Sequence, residues 1–206
     1  MGRALSVSDL LAKKYKVFDF SGEWFNAFRK PEQKGVWFIW GNSGNGKNRF
    51  VTQLSKELAN YGRVVVNELE EGSSMTVQDA VRESGLVEVK RKVLYINEPM
   101  HELSQRLCKQ KAPDFVIINS FQYTQLTYKQ YISFKEKHKD KLIIFTSHAD
   151  GKRPSGRSAV SVMYDASLKI WVEGYKAFSK GRYIGPTGEY TIWPEGASNY
   201  WGEYQE

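Results

Sequence analysis

From Gly35 onward, short apolar runs alternate with longer amphipathic stretches. Val36–Trp40, Arg63–Asn67, Val93–Ile96, Phe115–Asn119 and Leu142–Thr146 are strand-length and rich in β-branched or aromatic residues. Their apolar character is largely continuous rather than alternating, which marks strands buried on both faces. Between them, Asn48–Tyr61, Thr76–Ser84, Met100–Gln110 and Tyr128–His138 carry apolar residues at helical spacing. Strand and helix in turn predict an α/β fold with a mostly parallel central sheet flanked by helices. Ala166–Val172, Tyr175–Ser179 and Tyr190–Trp193 follow as short β segments with glycine turns, and should add antiparallel edge strands at the C-terminal end. His148–Val160 is polar and turn-rich, and reads as a loop.

Residues 1–34 read as a lead-in to a core spanning 35–206. Ser6 or Ser8 can cap a short helix over Asp9–Lys14, and Phe18, Phe20, Trp24, Phe25 and Phe28 form an aromatic cluster expected to pack on the outside of the core. Trp193, Tyr200 and Trp201 are expected to form a second packing cluster near the C-terminus. The 206 residues suit one domain. No apolar run approaches the roughly 20 residues that a bilayer span needs, and charges at Arg3, Asp9, Lys13 and Lys14 break any secretory signal, so a cytoplasmic protein without a membrane partner is expected. Cys108 is the single cysteine, which rules out an internal disulfide. The balance of 30 Lys and Arg against 23 Asp and Glu gives a net charge of +7, which favours polyanionic partners such as nucleotides and nucleic acids.

Gly41, Asn42, Ser43, Gly44, Asn45, Gly46, Lys47 and Asn48 have the G-x-x-x-x-G-K frame of a P-loop (Walker A), between a strand and an amphipathic helix. Its backbone amides and the helix N-terminus would cradle the phosphates of ATP or ADP, Lys47 would reach the β/γ-phosphates, and Arg49 follows in the first helical turn. The eighth position departs from the pattern. A P-loop offers Mg²⁺ a Ser or Thr hydroxyl there, whereas this chain has Asn48. A carboxylate is also expected at the end of a buried strand, and Val116-Ile117-Ile118 leads to Asn119. Both Mg²⁺-facing positions are therefore amides. A natural pseudo-ATPase, a protein using other ligands and deliberately inactivating substitutions all remain open.

The P-loop, the apolar strand before Asn119, and Lys180-Gly181-Arg182-Tyr183-Ile184-Gly185-Pro186-Thr187-Gly188 together make residues 35–195 resemble the RecA-like ATPases. The DnaB-type hexameric helicase core looks most similar, with clock-protein and RadA-type ATPases as cousins. The chain is also similar to short ATP-binding proteins of phages and mobile elements. The resemblance implies that Glu70, with Glu71 second, polarises the attacking water at the end of the Val64–Val66 strand. It implies a γ-phosphate sensor at His148, for which a capping or packing histidine is the alternative. Lys180 and Arg182 resemble the basic finger that one subunit inserts into its neighbour's site, which would require a homo-oligomer, ring or filament. Asp150–Ser158 falls where the family carries a mobile channel loop, making Lys152, Arg153 and Arg157 candidates for the phosphates of single-stranded DNA.

These residues together imply an ATP- and Mg²⁺-using, helicase-like ATPase acting in replication- or recombination-type handling of single-stranded DNA, with turnover slowed by Asn48 and Asn119. On that reading Asn48→Thr together with Asn119→Asp raises the rate. The lead-in is too short for a primase-binding domain, which favours an accessory or mobile-element ATPase. The alternative from another class is a non-catalytic, nucleotide-gated oligomeric scaffold or regulator. A small-molecule phosphotransferase is weaker, because no arginine-rich lid is evident.

Overall fold

The computed structural model describes residues 4–183 and 185–202. Among the described residues the strands form one nine-stranded sheet, eight of them in the order β3-β2-β4-β5-β1-β7-β8-β9. They are β1 (Gly35–Gly41), β2 (Val64–Glu68), β3 (Val93–Ile96), β4 (Phe115–Asn119), β5 (Leu142–Asp150), β7 (Leu168–Glu173), β8 (Lys176–Gly181) and β9 (Gly185–Thr191); a short β6 (Arg153–Pro154) pairs with β5 alone. The strands from β3 to β7 run parallel, and β8 and β9 are antiparallel. The α/β architecture, with its antiparallel edge at the C-terminal end, is the one the apolar pattern predicts.

Strand β1 shows why the run is continuous. Trp37 and Ile39 join a core on one face of the sheet, while Val36, Phe38 and Trp40 join the core on the other. The first core is covered by α3 (Lys47–Leu58), which buries Phe50, Val51, Leu54 and Leu58 along one stripe. The second is covered by α5 (Met100–Leu107), α6 (Tyr128–Lys137) and α7 (Arg157–Asp165) through Leu103, Leu107, Tyr131, Phe134, Ala159 and Val162. Helix α4 (Met75–Glu83) is capped by Ser74, whose hydroxyl accepts from the Val77 amide.

The structure departs from the sequence expectations at three places. The lead-in contains α1 (Val7–Leu11) and α2 (Gly22–Phe28), and its Phe18 and Phe28 are fully buried in the core on the α3 face. Phe18 meets Trp37, Tyr61 and Phe115 with ring centroids 5.1–5.7 Å apart, so the aromatic cluster is part of the core rather than an outer layer. The expected loop 148–160 is instead the end of β5, a hairpin to β6, and the start of α7. Ala159 and Val162 recur at helical spacing there and are buried, which outweighs the polar composition. The end of the described chain is a helix, α8 (Pro194–Trp201), opened by Pro194 and closed by Gly202. Its Tyr200 and Trp201 pack together at 5.1 Å as expected, whereas Trp193, expected in the same cluster, lies against the Tyr175 ring at 4.9 Å. Among the described residues no helix is long and apolar enough to cross a membrane.

Candidate functional site

The chain leaves the C-terminal end of β1 and next forms β2, which is separated from β1 in the sheet by β5 and β4. That change of direction opens a crevice beyond the carboxyl ends of the strands, where open α/β sheets hold ligands. Gly41 to Gly46 occupy it. Gly41 is required by close approach, since a Cβ there would lie 2.2 Å from the Val172 carbonyl oxygen. Gly46 has φ +95°, a conformation that side chains disfavour, and a Cβ would lie 3.0 Å from the Tyr175 ring.

Asn45 fastens the loop to the turn between β7 and β8: its Oδ1 accepts from the Gly174 amide at 2.8 Å, its carbonyl accepts from the Tyr175 amide at 3.2 Å, and its Nδ2 donates to the Ser43 carbonyl at 3.1 Å. Lys47 folds back over the loop, donating to the carbonyls of Gly41 at 2.7 Å and Asn42 at 3.0 Å. Burial holds its ammonium below the usual lysine range, partly offset by the Glu70 carboxylate. Arg49 turns the other way, pairing with Glu83 and lying over the Trp193 ring at 5.0 Å. Asn42, Ser43 and Gly44 are exposed at the mouth of the loop.

The remaining candidates near the loop form two chains of contacts. In the first, Asn48 Nδ2 donates to Glu71 Oε1 at 2.7 Å, and Glu71 Oε2 accepts from Thr76 and from Ser74 at 3.2 Å. These bonds hold the Glu71 carboxyl below the usual range, Thr76 contributing most. In the second, Asn119 Nδ2 donates to Glu68 Oε2 at 2.7 Å, and Thr146 Oγ1 donates to Asn119 Oδ1. Burial pushes the Glu68 carboxyl up to about 7, against the opposing Asn119 hydrogen bond, with Glu71 and Glu70 adding repulsion. Glu70 lies in the turn after β2, with its Oε2 3.0 Å from His148 Nε2. Glu70, Glu71, Asn48, Asn119 and His148 are thus gathered at one end of the sheet with the P-loop.

Sequence reasoning missed Glu68 and Gln122 as members of this cluster. An ionisable residue closing the Val64-Val65-Val66-Asn67 run was the available signal for Glu68. Gln122 gave none, yet its amide nitrogen donates at 2.8 Å to both Ser147 Oγ and the Ser155 carbonyl, and its Oε1 accepts from the His148 amide at 3.2 Å. It braces the His148 backbone against the β5–β6 hairpin.

Lys180 and Arg182 lie elsewhere. Lys180 stands opposite Lys169 in the β7–β8 register, and Lys169 is level with Phe38 of β1. At roughly 3.3 Å per residue this sets Lys180 about 10 Å back from Gly41 along the strands, with Arg182 further back still. Ile184, within the motif that follows, lies outside the described residues. Lys152 is in the β5–β6 turn, where its carbonyl accepts from Trp40 Nε1 at 3.1 Å. Lys152, Arg153, Lys169 and Lys180 line one cavity of about 530 Å³ together with Trp40 and Tyr164. An adjoining cavity of about 340 Å³ shares Trp40, Lys152 and Lys180 and adds Trp171, Phe178 and Trp201. Arg157, exposed at the first turn of α7, is not among the residues lining either.

Neither a protein-family model nor a curated protein sequence matches the chain. Solved structures do. The flagellar accessory protein FlaH from Methanocaldococcus jannaschii is similar with a TM-score of 0.59 at 14% identity, covering 84% of this chain and 91% of that one. A KaiC-like protein, PH0186, from Pyrococcus horikoshii gives 0.52 at 19% identity, over 78% of this chain and 83% of that one. The ATP synthase subunit NeqB from Nanoarcheaum equitans gives 0.58 at 10% identity, over 78% of this chain but 51% of that one. With the parallel order of strands, the likeness shows a RecA-like P-loop fold.

Proposed function

We propose that this protein binds ATP on the loop 41–48 and assembles with copies of itself, so that Lys180 and Arg182 of one copy reach the nucleotide of the next, in an assembly that handles single-stranded DNA. One observation carries the reading: Lys180 sits back from its own P-loop and gathers with Lys152, Arg153 and Lys169 around one cavity, with Arg182 near enough to act on the Lys169 ammonium. Like charges held together repel, and a phosphate-bearing partner relieves that repulsion. The indole and phenol rings beside them offer stacking surfaces of the sort that unpaired bases use. Glu70, next to Lys47 and held by His148, is the candidate for activating water. Mg²⁺ is the cofactor the fold implies, and oxygen-bearing groups at positions 48, 68, 71 and 119 suit a hard cation that keeps part of its water shell. Turnover is slow, because neither 48 nor 119 offers a hydroxyl or carboxylate.

The hydrogen bonds that the Asn48 and Asn119 amides donate also favour a second reading, a nucleotide-gated scaffold, since both hold carboxylates in place without any need for hydrolysis. Titration with ATP and with an oligo(dT) strand, with light scattering alongside, separates the two. Binding of both ligands, each tightening the other, supports the first reading. Nucleotide-driven assembly without DNA affinity supports the scaffold, and absence of nucleotide binding refutes both. A mixture of Lys47→Ala protein with Lys180→Ala/Arg182→Ala protein tests the shared site: turnover above that of either variant alone is expected, and none above either alone would show that the finger does not act between copies.

A further inference from the structure

A nucleotide's divalent cation is usually held by one or two protein carboxylates as well as by phosphate, and positions 48 and 119 provide only amides. Both amides are engaged in the same manner. Each donates its Nδ2, at 2.7 Å, to a carboxylate carried by β2 or by the turn after it: Asn48 to Glu71 and Asn119 to Glu68. Glu68 stands level with Asn119 in the parallel pairing of β2 with β4. Asn119 is gripped at its other end by Thr146, so turning its amide over would set an oxygen against the carboxylate of Glu68.

Glu68 is 4% exposed, and among the described residues no cation is paired with it, while Glu70 and Glu71 add charge of the same sign nearby. A buried carboxylate without a counter-charge is costly, and a bound cation is the usual remedy. Resting on the nucleotide-binding reading above, we infer that the protein's negative charge toward the nucleotide's divalent cation has moved from β4 to β2, with Glu68 as its donor and Asn119 as the positioning residue that orients it. The two asparagines are then matched to their carboxylates rather than being losses. Asn119→Asp alone would set two buried carboxylates against each other, which reverses the expectation that an aspartate there improves the site.

The test measures ADP affinity of the full chain by calorimetry, with Mg²⁺ and with chelator, and counts bound Mn²⁺ by electron paramagnetic resonance with ADP present. In the native protein Mg²⁺ tightens ADP binding. In Glu68→Gln the Mg²⁺-free affinity stays within about twofold, whereas the Mg²⁺ enhancement and Mn²⁺ retention fall by about 10–100-fold, the usual loss on removing an oriented metal-site group. Asn119→Asp shows no enhancement beyond the native one, and Glu68→Gln/Asn119→Asp recovers enhancement relative to Glu68→Gln. Full Mg²⁺ enhancement in Glu68→Gln overturns the inference, as does ADP binding by the native chain that is indifferent to Mg²⁺. If no variant binds ADP even with chelator, the nucleotide reading itself fails, a result distinct from either.

Discussion

Replacing Glu68 with Gln should stabilise the ligand-free protein at alkaline pH and leave it nearly unchanged in acid. The Glu68 carboxyl titrates at about 7 in the folded chain against an ordinary value of 4.5. Below the ordinary value both states hold the proton and the group contributes nothing. Between the two values the unfolded chain ionises while the folded one retains its proton, so folding stability falls as pH rises. Above about 7 both states are ionised and the penalty is constant. At about 1.36 kcal/mol per unit, the full penalty is about 3 kcal/mol. Glutamine keeps the shape and an oxygen to accept from Asn119 Nδ2, so the substitution removes the charge and little else. Urea unfolding of native and variant protein at pH 4.5 and at pH 8 reads the effect directly. With a slope near 2 kcal/mol/M, the variant's midpoint should rise by roughly 1.5 M more at pH 8 than at pH 4.5. Equal shifts at both pH values, or a lower midpoint at pH 8, would refute the argument that Glu68 carries an uncompensated buried charge.

Gly41→Ala forces a methyl against the Val172 carbonyl; it should cost about 1–3 kcal/mol, and an unfolding midpoint that barely moves would show that β1 and β7 can separate. Asn45→Ala leaves the Gly174 amide without its partner. A loss of about 1–2 kcal/mol is expected, together with weaker ADP binding; unchanged ADP affinity would mean that the tether does not shape the loop.

The alternation of apolar runs and amphipathic stretches was enough to read the sheet, because each parallel strand is buried on both faces and each covering helix must present an apolar stripe. What stayed hidden depended on partners distant in sequence. Phe18 and Phe28 look like surface aromatics until Trp37, Tyr61 and Phe115 surround them. The start of α7 stayed hidden in the polar loop expected over 148–160, because within the helix only Ala159 and Val162 carry the burial. The loop 41–48 was legible from its glycines and lysine, whose spacing is set by local backbone demands. The pairing of Asn119 with Glu68 was not, since parallel register across 51 residues decides it.

Two charge clusters of opposite sign occupy different places on the sheet. At the carboxyl ends, carboxylates at 68, 70 and 71 crowd around the P-loop with Lys47 and His148 as their nearby positive partners. At mid-strand, level with Phe38 of β1, Lys169 and Lys180 face each other across β7 and β8, with Arg182 close enough to help hold the Lys169 ammonium below its usual range after burial has done most of it. Each cluster carries an excess of one sign, carboxylates over Lys47 and His148 in the first and cations over Asp165 in the second. A bound Mg²⁺-nucleotide carries both signs. In the assembly proposed above, its cation would relieve the first cluster of one copy, and its phosphates, reached from the adjoining copy, would relieve the second. Nucleotide and assembly should therefore stabilise the fold together, by more than the sum of their separate effects, and a chain in which nucleotide raises the unfolding temperature equally above and below the assembly concentration would break that link.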